Sequence, residues 1–86
     1  MTYHKGQAFS FTIVQPLRVE THAVLWVNVQ GESGSFLIGP CHSPLVSILK
    51  PGSDVLYRTS EQQEGKAFVT SGLIRVFDGR VVLILE

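Results

Sequence analysis

The clearest structural signal in the chain is the segment Ile74-Arg75-Val76-Phe77-Asp78-Gly79-Arg80-Val81-Val82-Leu83. Two runs rich in β-branched and aromatic residues flank the dipeptide Asp78-Gly79. That dipeptide can adopt the two positive φ angles of a type I′ turn, which joins antiparallel strands with the correct twist. The segment therefore predicts a β-hairpin near the end of the chain, with the apolar run Val81–Leu85 as a buried strand.

The preceding residues carry further strand signals. Apolar and polar residues alternate strictly in Phe9-Ser10-Phe11-Thr12-Ile13, which is the pattern of a half-buried strand. Val55-Leu56-Tyr57-Arg58 and Lys66–Thr70 flank a polar, glycine-containing loop at Ser60–Gly65. This arrangement predicts a second, longer hairpin.

The segment Ala23–Gln30 predicts a strand whose two faces are both partly apolar. Leu25, Val27 and Val29 alternate onto one face, and Val24, Trp26, Asn28 and Gln30 onto the other. Such a strand is expected at the centre of the sheet or beneath a partner. With about eight strands and a turn signal every 8–12 residues or so, the sequence predicts an all-β fold. We expect one domain over residues 1–86, a flattened two-sheet β-sandwich or barrel of about eight to ten short, mostly antiparallel strands.

The composition limits the classes of protein to which the chain can belong. Only 16% of its 86 residues are charged and 44% are apolar, whereas about 25% charged is typical. The chain is therefore expected to fold and to bury part of its outer surface against partners. Seven basic and seven acidic residues give a net charge of +0 with no block of like charge, which excludes the usual electrostatic footprint of a nucleic-acid binder.

No targeting or membrane segment is evident in the sequence. The longest unbroken apolar runs have five residues, whereas a membrane-spanning helix needs about 20. The amino terminus has no apolar run after its Lys5, so we predict no secretion signal. The single cysteine, Cys41, cannot form a disulfide within the chain.

The candidate chemical groups do not assemble into a catalytic motif. Cys41 and His42 are neighbours on an extended segment and are expected to point to opposite faces, so we predict a small buried thiol beside a loop histidine. The three histidines, His4, His22 and His42, are far apart in the sequence with no cluster of other ligands, which disfavours a metal site. His22 is expected to be an ordinary sheet residue.

Other candidate motifs are equally weak. The pair Gly31-x-x-Gly34 lacks the length and the following Lys-Ser/Thr of a phosphate-binding loop. Glu61 and Glu64 lie in the polar loop, where a solvated turn is expected. The sequence therefore predicts no catalysis by this chain alone.

One loop has the composition of a recognition element. In Gly39-Pro40-Cys41-His42-Ser43-Pro44 two prolines fix their own φ angles and favour extended conformations in the residues before them. A stiff loop that presents one imidazole suits the binding of a partner, because little entropy is lost when it binds. An ordinary turn between strands is an equally open interpretation of the same residues.

A longer segment resembles the signature of a known family. GESGSFLIGPCHSPL, from Gly31 to Leu45, is followed by Leu49-Lys50-Pro51-Gly52. This is similar to G-x-x-G-x-x-G-I-Y-P-G-H-A-P-L and then L-K-P-G in the epsilon subunit of F-type ATP synthases, which is called delta in mitochondria. The later Phe68–Val76 is similar to the family's aromatic-x-S-G-G-x-x-x-V strand. The resemblance extends from about Phe9 to Glu86.

The chain departs from that signature at several positions. Leu37 and Cys41 stand where the family usually has Gly, and Gly39 stands where it has an aromatic residue. Ser71 replaces the first Gly of the late pair, and Ser35 replaces a common acidic residue. These differences affect the details of contacts with partners more than the fold.

The resemblance implies a rotor part. The family's sandwich docks the gamma subunit of the central stalk onto the membrane c-ring, and so couples ion translocation to ATP synthesis or hydrolysis without binding nucleotide. By position, it implies gamma-subunit contacts at Pro40, Cys41 and His42. The implied c-ring contacts are Gly31, Glu32, Ser33, Gly34 and Ser35.

The resemblance also has implications for what the chain does not do. It implies a non-catalytic chain with no metal, no cofactor, no nucleic-acid partner and no direct insertion into the membrane. The chain would lie at the cytoplasmic face of the inner or plasma membrane, or on the matrix or stroma side in an organelle. Many members continue into a regulatory two-helix hairpin, which is not in this sequence. If the sequence is the full length of the protein, we expect no inhibition by helix insertion; if it is part of a longer chain, that question stays open.

Two other classes of protein stay open. The chain can be a free-standing β-sandwich adaptor for a different partner, or a small hydrolase that uses Cys41 or Ser43 with His42.

For the fold itself, an aspartate at Val82 is expected to unfold the domain, because it places a charge in a central strand.

Overall fold

The computed structural model describes residues 7–86 and contains eight β-strands. His4 and the amino-terminal segment that bears on a secretion signal lie outside the described residues. The strands are β1 (Phe9–Gln15), β2 (Arg18–Gly31), β3 (Gly34–Ile38), β4 (Leu45–Ile48), β5 (Ser53–Thr59), β6 (Glu64–Val69), β7 (Gly72–Phe77) and β8 (Arg80–Leu85). The predicted all-β fold class is confirmed.

The strands form one continuous hydrogen-bonded sheet in the order β4-β7-β8-β1-β2-β5-β6, with β3 also paired to β2. Every pair is antiparallel except β1 with β8. The long strand β2 pairs with β1 through its first half and with β3 and β5 through its second half. It therefore belongs to both layers of the sandwich, and the core lies between them.

Both predicted hairpins are present. Asp78 and Gly79 have φ angles of 48° and 71°, and they connect β7 directly to β8, as the type I′ turn requires. The β5–β6 loop is shorter than predicted, because Glu64 and Gly65 already belong to β6. Glu64 accepts a hydrogen bond from Arg58 at 2.8 Å, so it forms an exposed ion pair rather than part of a turn.

The predicted faces of β2 are wrong at two residues, Val24 and Leu25. Val24, Val27 and Val29 are the fully buried residues of this strand, whereas Leu25 is only half-buried. The register against β5 shifts between Val24 and Trp26. A β-bulge adds one residue to its strand and so reverses the alternation of the faces beyond it, which is why Leu25 does not share a face with Val27.

The run Val81–Leu85 is also only partly a buried strand. Val81, Leu83 and Leu85 face the core, but Val82 is half-buried and Ile84 is 39% exposed. β8 is central, as expected, because it lies between β7 and β1. The side chain of Val82 points away from the core, however, so the structure gives no reason to expect that an aspartate there unfolds the domain.

An aromatic contact connects the two layers. The rings of Phe11 on β1 and Tyr57 on β5 are 5.1 Å apart between centroids and tilted by 57°. Tyr57 also covers Gly65, the residue directly opposite it on β6. A Cβ on Gly65 would lie within 2.6 Å of Tyr57 Oη, so only glycine leaves room for the ring.

Candidate partner-binding surface

The turn between β2 and β3 contains the residues predicted to contact the c-ring. Gly31 pairs with Gly34 across the two strands, so Glu32 and Ser33 form the exposed tip. Gly31 is buried, and a Cβ there would lie 2.9 Å from Ser47 Oγ and 3.2 Å from the Gly34 carbonyl oxygen. The backbone N–H of Glu32 donates to the Ile48 carbonyl at 3.2 Å. The turn is therefore fixed to the end of β4, and its four residues from Glu32 to Ser35 are exposed.

The loop of residues 39–44 joins β3 to β4 and contains the residues predicted to contact gamma. Pro40 and His42 are half-buried, and His42 Nδ1 donates to the Ser43 carbonyl oxygen at 2.7 Å. Cys41 is a free, exposed cysteine with a φ of 61°. The prediction of a buried thiol is therefore wrong, because the left-handed backbone removes Cys41 from the extended alternation on which it rested. A left-handed residue is usually glycine, and this is a position where the family signature has one.

The two predicted contact segments lie at opposite ends of β3. That strand has five residues, which corresponds to about 17 Å at the usual rise of an extended chain. The turn and the loop are therefore separated by enough distance to contact two different surfaces. The structure does not bring them together into one site.

A row of aliphatic side chains crosses the outside of one layer. In adjacent strands Ile48 lies opposite Leu73, Leu73 opposite Ile84, Ile84 opposite Val14, and Val14 opposite Val19. We call these five residues the aliphatic row. Ile48 is 60% exposed and Val19 is 64% exposed. Because the Ile48 carbonyl holds the turn of Glu32, the row is continuous with that turn.

A second row lies beside the first on the same surface. Val46 is opposite Arg75, Arg75 opposite Val82, and Val82 opposite Thr12. Thr12 shares a hydrogen bond with Thr21 on β2, with 3.0 Å between their hydroxyl oxygens. We call the surface formed by the two rows and their outward-facing neighbours on β4, β7, β8, β1 and the first half of β2 the outer face.

Sequence reasoning did not identify the outer face as a functional surface. The sequence feature that marks the outer face is the run Val81–Leu85, which has apolar residues on both sides of the sheet. A strand with one solvated face normally alternates apolar and polar residues. The uninterrupted apolar run is therefore the signal that the outward side of β8 is apolar as well, but strand order was needed to find the neighbouring residues.

A polar cluster closes one end of the core. Glu20 accepts hydrogen bonds from Arg18 at 2.7 Å and from His22 at 2.8 Å. The His22 hydrogen bond, together with Arg18, lowers the pKa of the Glu20 carboxyl. Burial raises the pKa of Tyr57, and the Glu20 charge adds to the effect. His22 stacks on Tyr57 with 5.1 Å between the ring centroids and is a sheet residue, as predicted.

The described part of the chain contains no group of three or more residues that could hold a metal ion. His42 uses Nδ1 to bond a carbonyl, so residues 41–43 do not form a nucleophile and base pair through that nitrogen. No helix among residues 7–86 is long and apolar enough to cross a membrane.

Comparisons with known proteins agree with the sandwich. The family described as ATP synthase, Delta/Epsilon chain, beta-sandwich domain matches residues 8–86. The ATP synthase epsilon chain of Bordetella avium (strain 197N) is 37% identical over 61 residues, which are 71% of this chain and 43% of that protein. The epsilon chain of Desulforudis audaxviator (strain MP104C) is 36% identical over 75 residues, 85% of this chain and 53% of that protein. The chain thus spans about half the length of the curated relatives it matches.

Solved structures share the fold at low sequence identity. A chain of the Euglena gracilis mitochondrial ATP synthase OSCP/F1/c-ring assembly has a TM-score of 0.83 and 15% identity, covering 99% of this chain and 54% of that one. A chain of the Tetrahymena thermophila mitochondrial ATP synthase central stalk and c-ring has a TM-score of 0.76 and 14% identity, covering 100% and 67%. With the family matched over nearly all of its residues, this chain belongs to the ATP synthase delta/epsilon chain β-sandwich family.

Proposed function

We propose that the chain is a central-stalk rotor subunit of an F-type ATP synthase, which docks the gamma subunit onto the c-ring. In this role it couples ion translocation to ATP synthesis or hydrolysis and catalyses neither step itself. The observation that supports the proposal most directly is the outer face, an exposed aliphatic surface across five strands of a domain from this family. Large contiguous apolar surfaces on small domains mark protein–protein contacts.

The positions of the two contact segments support separate partners. The turn with Glu32 and Ser33 presents polar side chains and backbone at one end of β3, which suits hydrogen bonding to the polar loops of a c-ring. The loop with Pro40, Cys41 and His42 lies at the other end and leads into the exposed residues of β4. We assign the loop to gamma and the turn, residues 31–35, to the c-ring.

Torque transmission fits this distribution of contacts. A rotor part must resist sliding against both partners, and this requires an extensive complementary interface rather than one strong bond. We propose that the chain is attached peripherally to the membrane through the c-ring, on the side of the F1 sector.

The natural cysteine content allows a direct test. Because Cys41 is the only cysteine and is exposed, it can be labelled with a photoactivatable maleimide in the otherwise wild-type chain. After assembly into membranes from the source organism, illumination is expected to attach Cys41 to gamma. A second probe, Glu32→Cys in a Cys41→Ser background, is expected to attach to the c subunit, and Lys66→Cys in the same background serves as a control on β6.

The outcomes separate the candidate functions. Co-purification with gamma, the c-ring and the alpha and beta subunits, with each probe attached to its expected partner, supports the rotor assignment. Co-purification with the probes attached to the opposite partners contradicts the assignment of the two segments. An unrelated partner would favour a free-standing adaptor, and an activity lost on labelling Cys41 would favour the hydrolase.

A further inference from the structure

The charged side chains that face outward from the strands of the outer face are all basic. On β7 the outward-facing residues are Leu73, Arg75 and Phe77, since Ile74 and Val76 are buried. On β8, Arg80 faces outward directly opposite Phe77. None of the outward-facing side chains on β4, β7, β8, β1 or residues 19–23 of β2 is a carboxylate. The strands of the outer face therefore combine aliphatic side chains with two arginines and no acid, and Glu86, which follows β8, borders the face beside Ile48, Leu73 and Ile84.

Arg75 occupies the middle of this apolar surface. It lies directly opposite Val46 on one side and Val82 on the other. Its guanidinium carbon is 4.5 Å from the centroid of the Phe77 ring. The ion pairs in the described part of the chain join Glu20 to Arg18 and His22, and Arg58 to Glu64, so Arg75 has no carboxylate partner among residues 7–86. A guanidinium that lies over a ring keeps N–H donors for another acceptor.

Covering the outer face removes water from that guanidinium. Burial of an unpaired charge is strongly unfavourable, whereas a carboxylate that pairs with it in two hydrogen bonds offsets the desolvation. A purely aliphatic partner surface would therefore bind poorly at Arg75.

We propose that the outer face binds a protein surface that is aliphatic opposite the aliphatic row and carries a carboxylate opposite Arg75, with Arg80 adding to the same attraction. This inference rests on the proposed function, and it names the chemistry of the gamma surface that this chain recognises. The aliphatic contact supplies most of the buried area. The arginine–carboxylate pair fixes the register of the two surfaces and excludes partners that lack the acid.

The experiment measures binding to the alpha–beta–gamma complex of the source organism after this chain has been removed. Affinities are determined for the wild type, Arg75→Gln, Arg80→Gln and Lys66→Gln over a range of salt concentrations. Lys66 is the matched control, because it is exposed on β6 in the other layer and its substitution removes the same charge. We expect Arg75→Gln to weaken binding by about 30-fold or more, as for loss of one member of a buried charge pair. Arg80→Gln should weaken it less, and Lys66→Gln should leave it within about twofold of wild type because exposed charges contribute little. All four proteins should have similar melting temperatures.

Each alternative outcome has a distinct meaning. Wild-type binding that Arg75→Gln does not weaken overturns this inference and leaves the proposed function intact. A wild-type chain that does not bind the complex overturns the proposed function and this inference with it. Arg75-dependent binding to vesicles containing anionic lipid, without binding to the complex, would assign the outer face to a membrane. A dimer in sedimentation that Ile84→Ser dissociates would assign the face to a second copy.

Discussion

Aspartate substitutions at two neighbouring residues of β8 test which side of the sheet is the core. Leu83 is 0% exposed in the core, and Val82 is half-buried on the outer face. Leu83→Asp and Val82→Asp therefore place the same charge one residue apart on opposite sides of the same central strand. We expect the first variant to unfold and the second to remain folded.

The structure gives the size of each effect. Loss of a buried leucine side chain costs about 2–5 kcal/mol, and burial of a carboxylate without a partner adds about several kcal/mol more. A domain of this kind has about 5–15 kcal/mol of total stability, so Leu83→Asp removes most or all of it. At Val82 the aspartate would lie directly opposite Arg75. A cross-strand charge pair contributes about 0.2–1 kcal/mol, which offsets much of the roughly 1 kcal/mol lost in strand propensity.

Circular dichroism on heating and urea titration of the wild type and both variants provide the measurement. Val82→Asp is expected to melt cooperatively within about 8 °C of wild type, since 1 kcal/mol shifts the midpoint of a domain this small by about 4–8 °C. Leu83→Asp is expected to show no folded baseline at 25 °C. If Val82→Asp unfolds as readily as Leu83→Asp, then Val82 does not point away from the core and the outer face does not exist as described.

Three further perturbations have defined outcomes. Gly65→Ala should lower the free energy of unfolding by about 1–3 kcal/mol through overpacking against Tyr57. In a Tyr57→Leu background the same substitution should have no such effect. An equal shift of the urea midpoint in both backgrounds would contradict the contact between Gly65 and the Tyr57 ring. The pKa of Glu20 is lower in the folded than in the unfolded chain, so its contribution to stability is present above the unfolded pKa and is lost as pH falls through the folded value. We therefore expect the urea midpoint to fall less steeply below about pH 5 in Glu20→Gln than in wild type when both are measured from pH 7 to pH 3. Parallel plots of midpoint against pH would show that the His22 hydrogen bond does not contribute to stability. Pro44→Gly should weaken binding to the alpha–beta–gamma complex more than it lowers the melting temperature, because it loosens the loop; equal losses would mean that the loop is only structural.

The elements that local chemistry determines were predictable from the sequence. The β7–β8 hairpin depends on Asp78-Gly79, whose backbone preferences are intrinsic to the dipeptide. The alternation in β1 likewise predicted a half-buried strand, and Phe11 and Ile13 are its buried residues. The loop of residues 39–44 was predicted from its prolines, whereas residues 31–35 were identified only through the family resemblance.

The features that depend on tertiary structure were not predictable. The bulge in β2 arises from the pairing with β5, and no residue near Leu25 has a preference that would indicate it. The exposure of Cys41 depends on one left-handed backbone angle. The aliphatic row depends on which strands are neighbours, and Val14 meets Ile84 only because the first and last strands of the described chain pair in parallel.

That parallel pair determines when the domain can fold. β1 and β8 meet at the centre of the sheet, so the middle of the sandwich is built from the two ends of the described chain. During synthesis β1 can form a hairpin with β2, but its other edge stays open until the last strand has left the ribosome. Contacts between distant segments make folding slow, typically milliseconds to seconds for β-rich domains, and an unpaired edge is a site for aggregation during that interval. We therefore expect the chain to complete folding only after its last strand is synthesised, with the outer face forming in the same step.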